Sequence, residues 1–362
     1  MTSIGYLGLD HHHCGPYLDS IEQLDAEVTA VADPRETPDS LGIARLGDVP
    51  FYDDPVELLD DTDVDLVWMT LSNQETPAVI EAAIERDIDV FTEKPAARTA
   101  ADLEPVVARA NESDATIGVS FIWRNHPLTI QLRALARSGF FGDVRGFALR
   151  FVASRLAARN TDHHLFDAPT SRGGVVQWLG VHWIDLLPWI LDDPITRVNA
   201  STTAGTPGIE VEDVATLQLE TASGAIGTHL CGYLLREDRY DTTIEVYGDE
   251  GRSSWNPMGE TFGFEGETVL ELDSSADDWA STPHRRSVHE YRPTPGYGGR
   301  WGLDFFEQFL AARRGETTVP AGLGDALNVL TVLDAVYKSA ETNGWVDVDR
   351  PIQTEAMPVA ED

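Results

Sequence analysis

Five short apolar runs, interrupted at regular intervals by helix-length stretches, leave the first third of this chain few folds to choose from. "SIGYLGL" (3–9), "EVTAVAD" (27–33), "VDLVWMTL" (64–71), "DIDVF" (87–91) and "ATIGVSF" (115–121) read as buried strands, and stretches such as 75–86 and 99–112 as the helices between them. Strand-helix alternation at this spacing predicts an α/β architecture, a parallel, doubly wound sheet of the Rossmann type. Beyond residue 140 the strands lengthen and alternate in polarity: "VRGFALRFV" (144–152), "EDVATLQLET" (212–221), "GAIGTHLCGYL" (224–234) and "DTTIEVYGDEG" (241–251). These predict a mostly antiparallel open sheet in an α+β domain, closed by helices near 300–314 and 322–341. A chain of 362 residues suits two domains of ordinary size, and the texture changes near residue 122. The expected division is 1–122 and 123–362.

Charge narrows the partners. There are 61 acidic against 26 basic residues, a formal net charge of −35, with the acids spread along the whole chain. Such a surface repels phosphate backbones and anionic lipid, so neither nucleic acid nor membrane is an expected partner. Only Lys94 and Lys338 are lysines; the other 24 basic residues are arginines. An acid-rich, lysine-poor surface fits a cytosol at molar salt, where the Debye length shrinks to about 3 Å. Two cysteines, Cys14 and Cys231, make no disulfide framework, and no apolar run approaches a membrane span, so a reducing, cytoplasmic setting is expected.

Chemistry gathers at the ends of the predicted strands. In "IGYLGLDHHHCGPYL" (4–18), Gly8 opens the turn where an α/β sheet places a pyrophosphate on a helix N-terminus. The GxGxxG fingerprint is broken there, with Asp10 at the second glycine position and His13 at the third. Gly15-Pro16 reads as the helix entry, with proline at the first helical position, leaving 9–14 as a long loop. Asp10 would face a phosphate with the wrong sign unless it turned to cap backbone N–H groups, while imidazoles from the histidine triplet could donate to the phosphates. In an extended loop His11 and His13 would point to one side and His12 to the other, and no metal is expected. Asp33 ends the second strand, 25 residues after Gly8. There it either accepts the adenosine ribose hydroxyls, favouring NAD with Arg35 keeping NADP possible, or merely caps a loop.

In "VFTEKPAA", Lys94 follows a buried strand and is pinned by a proline. It is either a surface lysine or a compact, titratable ammonium that arginine could not replace. "SRGGVVQWLGVHWIDLLPWILD" (171–192) is apolar all round from Val175 to Leu191, which predicts a buried helix. His182 and Asp185 share a face, with Trp178 four residues before His182. His182 is either a core histidine satisfied by Asp185 or a general acid/base that this carboxylate holds in one tautomer.

With these pieces in order, the chain resembles the Gfo/Idh/MocA oxidoreductases, named for glucose-fructose oxidoreductase and inositol dehydrogenase. The resemblance runs through "TLSNQETP" (70–77), "FTEKPAA" (91–97), "WRNHP" (123–127), "GGVVQWLGVHWIDLLPW" (173–189), "VEDVATLQLETASGAIG" (211–227) and "IEVYGDEG" (244–251). It implies an NAD(P)-dependent dehydrogenase or reductase of a sugar, polyol or related hydroxy/keto compound, working as a homo-dimer or homo-tetramer. It further implies that Lys94 and His182 are catalytic, supported by Asp185, and that Lys94-Pro95 is cis. The expected cofactor contacts are Gly8, Leu9, Asp10, His11, His13, Asp33, Leu71, Ser72, Asn73, Glu93 and Lys94, and the expected substrate contacts Trp123, Arg124 and Trp178. The chain departs from the family pattern in three places: the altered glycine turn, Thr76 where many members carry histidine, and Trp178 where an aspartate usually stands. An indole there offers one donor and a stacking face. The competing readings are an NAD-retaining glycosidase or lyase that works by transient oxidation, and an NAD-binding sensor that has lost its chemistry.

Overall fold

The computed structural model describes residues 1–156, 161, 163–259, 267–292 and 294–349. They divide into two compact units, the first holding Met1–Ile122 with Thr294–Asn328 and the second Trp123–Pro293 with Val329–Pro351. A single cut after residue 122 therefore misplaces 294–328, a segment that returns to the first unit. The cause is apolar: Phe305, Phe306 and Phe309 pack edge-on or tilted against Phe91 at 5.1 to 6.3 Å.

The first unit is a parallel sheet of β1 (Thr2–Leu7), β2 (Ala26–Ala32), β3 (Phe51–Tyr52), β4 (Leu66–Met69), β5 (Asp89–Thr92) and β6 (Ile117–Val119), in the order β3-β2-β1-β4-β5-β6. β4 is buried at every residue, as a central strand of a sheet covered on both faces must be. Helices α1 (Cys14–Ile21), α2 (Pro55–Asp61), α3 (Thr76–Ile84) and α4 (Ala100–Ala110) make the crossovers. The strand order reverses between β1 and β4. Ligands bind such sheets at that switch point, outside the carboxyl ends of the strands.

The second unit contains α5 (Pro127–Arg137), β7 (Val144–Ser154), a four-residue α6 (Ala168–Ser171), α7 (Val181–Leu191), β8 (Ile195–Thr203), β9 (Val214–Thr221), β10 (Ile226–Leu235), β11 (Asp241–Gly248), β12 (Gly251–Trp255), β13 (Glu267–Ser274), β14 (His284–Glu290) and β15 (Val346–Asp347). Its strands form one sheet, β14-β13-β12-β11-β7-β10-β9-β8-β15, in which β7 and β10 are parallel and the other neighbours antiparallel. Alternation sends His229, Cys231 and Tyr233 of β10 inward. A π-helical turn, Val176–Gly180, leads directly into α7. Gly180 sits against Cys231, where a Cβ would come within 2.7 Å of Sγ. Two helices close the chain: α8 (Gly299–Arg313) lies in the first unit and α9 (Leu323–Thr342) begins there.

Candidate functional site

In the first unit the candidate residues converge on the carboxyl ends of β1, β2, β4 and β5. Gly8 follows β1 with φ +90°, and a Cβ there would lie 2.7 Å from the backbone carbon of Thr70. Only glycine lets the turn pass that close to the strand across the switch point. Thr70 Oγ1 fastens it by donating to the Gly8 carbonyl at 2.5 Å.

The loop after Gly8 is shorter than the sequence implied. α1 starts at Cys14, and Pro16 falls within its first turn, where a missing N–H costs nothing. The Cys14 N–H donates to the His11 carbonyl at 2.8 Å, so 11–14 is a turn and not an extended loop. Turned backbone brings all three imidazoles together, with ring centroids 4.1 to 4.9 Å apart and potential ligand atoms within 4.8 Å of one another. For His11 the hydrogen bonding suits an anion better than a metal. His11 Nδ1 accepts the His13 N–H at 3.1 Å, which assigns the neutral ring's proton to Nε2, a donor.

Asp10 does turn away, to an ion pair with Arg35 at 3.6 Å. Arg35 also grips Glu75 through NH1 at 2.8 Å. Asp33 is nearly inaccessible; its Oδ2 accepts the Leu9 N–H at 2.5 Å and its Oδ1 those of Arg35 and Glu36 at 2.7 and 3.0 Å. These bonds use three of roughly four acceptor positions, so Asp33 holds the turn's shape and keeps little capacity for a ligand. After β4, Ser72 Oγ donates to Glu75 at 2.5 Å, and the Ser72 carbonyl accepts the Thr76 hydroxyl at 2.9 Å. Leu71 and Asn73 flank Ser72 and are buried with it.

Lys94 is 2% exposed, which rules out a surface lysine, and Lys94-Pro95 is cis. Its ammonium lies 3.4 Å from Glu93 Oε1. Burial pulls the Lys94 proton affinity below the ordinary lysine range, and Glu93 opposes that pull. Burial likewise disfavours the Glu93 carboxylate, but His13, Lys94 and the Tyr17 hydroxyl together hold its pKa below the usual value.

In the second unit the candidates cluster on the helix predicted from Val175. Asp185 is gripped by a fork from Arg124, Nε to Oδ2 at 3.1 Å and a terminal nitrogen to Oδ1 at 2.5 Å, both side chains buried. That fork is a pairing the sequence does not disclose, and it places Arg124 in a buried ion pair. Trp178 Nε1 donates to the Leu165 carbonyl and to Ser171 Oγ, each at 2.9 Å, so its one donor is spent within the protein and only the ring remains. Trp123 packs edge-on against Trp183 at 5.3 Å. His182 is buried and lies roughly parallel to Phe151, with centroids 6.0 Å apart.

Sequence reasoning missed Glu212. Its carboxylate accepts the backbone N–H of Gly174 at 2.8 Å, the N–H of Val176 at 3.0 Å and the Tyr337 hydroxyl at 3.0 Å. A buried carboxylate thus caps the start of the His182 helix; burial raises its pKa against these donors. The signal lay in "GG": a Cβ on Gly174 would come within 2.0 Å of the Glu212 carbonyl, and one on Gly173 within 1.8 Å of the Tyr337 hydroxyl.

Comparison with known proteins agrees with this architecture. Residues 3–121 match the oxidoreductase family with an NAD-binding Rossmann fold, and residues 129–254 match the GFO/IDH/MocA C-terminal domain. An inositol 2-dehydrogenase of Paenarthrobacter aurescens is 28% identical over 80% of this chain and 82% of its own length. A D-xylose 1-dehydrogenase (NADP(+)) of Haloferax volcanii is 27% identical over 92% of this chain and 95% of its own. The fold is shared with a levoglucosan dehydrogenase solved with NADH and L-sorbose: TM-score 0.80, 18% identity, covering 96% of this chain and 99% of that one.

Proposed function

The chain belongs to the Gfo/Idh/MocA family of NAD(P)-dependent oxidoreductases, and from that premise we propose that it oxidises a sugar or polyol hydroxyl, or reduces the matching ketone. The observation that carries the reading is Lys94: a buried ammonium at the carboxyl end of β5, in a chain that otherwise uses arginine almost throughout. Relatives named for inositol and xylose support the substrate class. A screen of sugars and polyols with NAD and NADP in molar KCl, following the reduced cofactor, tests it. At least one polyhydroxylated substrate should give turnover; activity confined to non-carbohydrate alcohols would overturn the substrate class.

The residues present fit a dinucleotide. The glycine turn opens onto α1, where a Cβ on Gly15 would meet nothing within 4 Å, so the helix start has room for a phosphate. Gly8, Leu9 and His11 would hold the pyrophosphate, with Asp10 held aside by Arg35. Leu71, Ser72, Asn73, Glu93 and Lys94 would line the remainder. His11→Ala and His13→Ala should each weaken cofactor binding several-fold in a titration, since the first removes a donor from a glycine-poor turn and the second a ring that shapes it. Undiminished affinity in both would remove the triplet from the cofactor site. NAD is favoured over NADP because a 2′-phosphate near Arg35 would have to displace the Glu75 carboxylate.

When bound, NAD would accept the hydride in oxidation, and its reduced form would give it back in reduction. Lys94 would polarise the reacting oxygen, and His182 would take the hydroxyl proton in oxidation and return it in reduction. Asp185 steadies the His182 helix through Arg124. With its N–H spent, Trp178 would offer substrate a flat apolar ring in place of the family's carboxylate.

Assembly and setting belong to the same proposal. The sheet registers Ile226 and Tyr247 against Gly146, so both stand on one face with Leu234, and all three are exposed. Covering that face in a homo-dimer or homo-tetramer would bury them. No helix among the described residues is long and apolar enough to cross a membrane. We place the protein in a cytoplasm at high salt on its charge of −35. Circular dichroism should collapse on dialysis into low salt, and an unchanged spectrum would contradict that setting.

A further inference from the structure

One carboxylate oxygen in the first unit serves two nitrogens. Glu93 Oε1 lies 3.4 Å from Lys94 Nζ and 3.3 Å from His13 Nδ1. Its Oε2 accepts the Tyr17 hydroxyl, which also lies 2.5 Å from Ser120 Oγ. Glu93, Lys94, Tyr17 and Ser120 are all buried, so charge at any one of them is weakly screened. His13 is set by its own surroundings: it ends the histidine turn and its ring lies 4.1 Å from that of Tyr297. Among the described residues, other titratable groups facing the cluster include Tyr6 from β1, His11 and His12 from the turn, and Tyr297.

We propose that Glu93 is a shared counter-ion through which His13, a positioning residue in the cofactor turn, loosens the hold of Glu93 on Lys94. Both nitrogens face the same oxygen, so positive charge on one offsets part of the negative charge that the other feels. A protonated His13 also repels the Lys94 ammonium, which acts in the same direction. His13 thereby makes the lysine easier to discharge, the condition that proton exchange with a substrate hydroxyl near neutral pH requires. That consequence rests on Lys94 handling the substrate oxygen; the linkage itself is a property of the protein without substrate.

Its signature is a pair of opposite shifts. Removing the His13 imidazole takes away that offset and raises the lysine's proton affinity, whereas neutralising Glu93 lowers it. A general loosening of the fold moves both variants the same way. The chain makes this directly measurable, because a protein carrying ¹³C at the lysine ε-carbons gives signals from Lys94 and Lys338 only, and Lys338→Arg assigns them. In pH titrations of the full chain in molar KCl, His13→Phe, which keeps the ring against Tyr297, should raise the Lys94 midpoint by about one unit or more. Glu93→Gln, which keeps the shape, should lower it by a similar amount. An unmoved Lys94 midpoint in His13→Phe, or shifts of the same sign in both variants, would overturn the proposal. If Glu93→Gln does not fold, His13→Phe alone decides. If the shifts appear while Lys94→Ala retains full activity, the linkage stands and the catalytic reading of Lys94 falls.

Discussion

Replacing Lys94 by alanine should lower kcat by about 10² to 10⁴-fold, the range for a positioned acid/base group. The residue is buried behind the carboxyl end of β5 and its charge is balanced against Glu93. Lys94→Arg should not restore the rate, because a guanidinium is planar, bulkier and does not give up its proton near neutral pH. Steady-state kinetics on both variants, with cofactor affinity measured separately, distinguish loss of chemistry from loss of binding. A kcat within a few-fold of the parent in Lys94→Ala would move the protein to the non-catalytic sensor reading.

The second large effect is on stability. Arg124→Met should cost about 3–5 kcal/mol, because it leaves the Asp185 carboxylate inside the protein without its guanidinium fork. The midpoint of denaturant unfolding at fixed high salt reads this out. Replacing both partners, as in Arg124→Met with Asp185→Leu, should recover most of the loss, since the desolvation penalty disappears along with the attraction. A double variant no more stable than Arg124→Met would mean that the pair's value lies in the neighbouring packing, for instance the contact of Arg124 with Trp189 at 5.8 Å.

Local pattern carries most of the fold. Short apolar runs with helices between them can be satisfied only by a parallel sheet covered on both faces, and the structure has the order expected of a dinucleotide-binding unit. Lys94 is legible because it is one of two lysines and stands at a strand end. The apolar stretch from Val175 likewise announces its buried helix, though not the π-helical turn that opens it, which depends on how Gly180 fits against Cys231.

What stays hidden depends on pairing at long range. Arg124 and Asp185 are 61 residues apart, and Tyr17 and Glu93 are 76 apart. No periodicity links such positions; only the folded chain brings them together. The same holds for Glu212, which caps a helix 36 to 38 residues earlier in the chain. The histidine turn is hidden for a different reason. An extended backbone would send alternate rings apart, whereas one hydrogen bond, from the Cys14 N–H to the His11 carbonyl, bends the loop and gathers all three. Asp33 shows the converse: its spacing from Gly8 is plain in the sequence, but its oxygens are largely spent on the turn itself.

Net hydride transfer is the centre of the account, and it separates this protein from an NAD-retaining glycosidase or lyase, in which each cofactor molecule would be reduced and reoxidised within one turnover. The decisive measurement is stoichiometry over many turnovers with a sugar or polyol that the screen identifies, comparing substrate consumed with reduced cofactor released. The account predicts one reduced cofactor for each substrate oxidised. Product accumulating with no net reduced cofactor would contradict it.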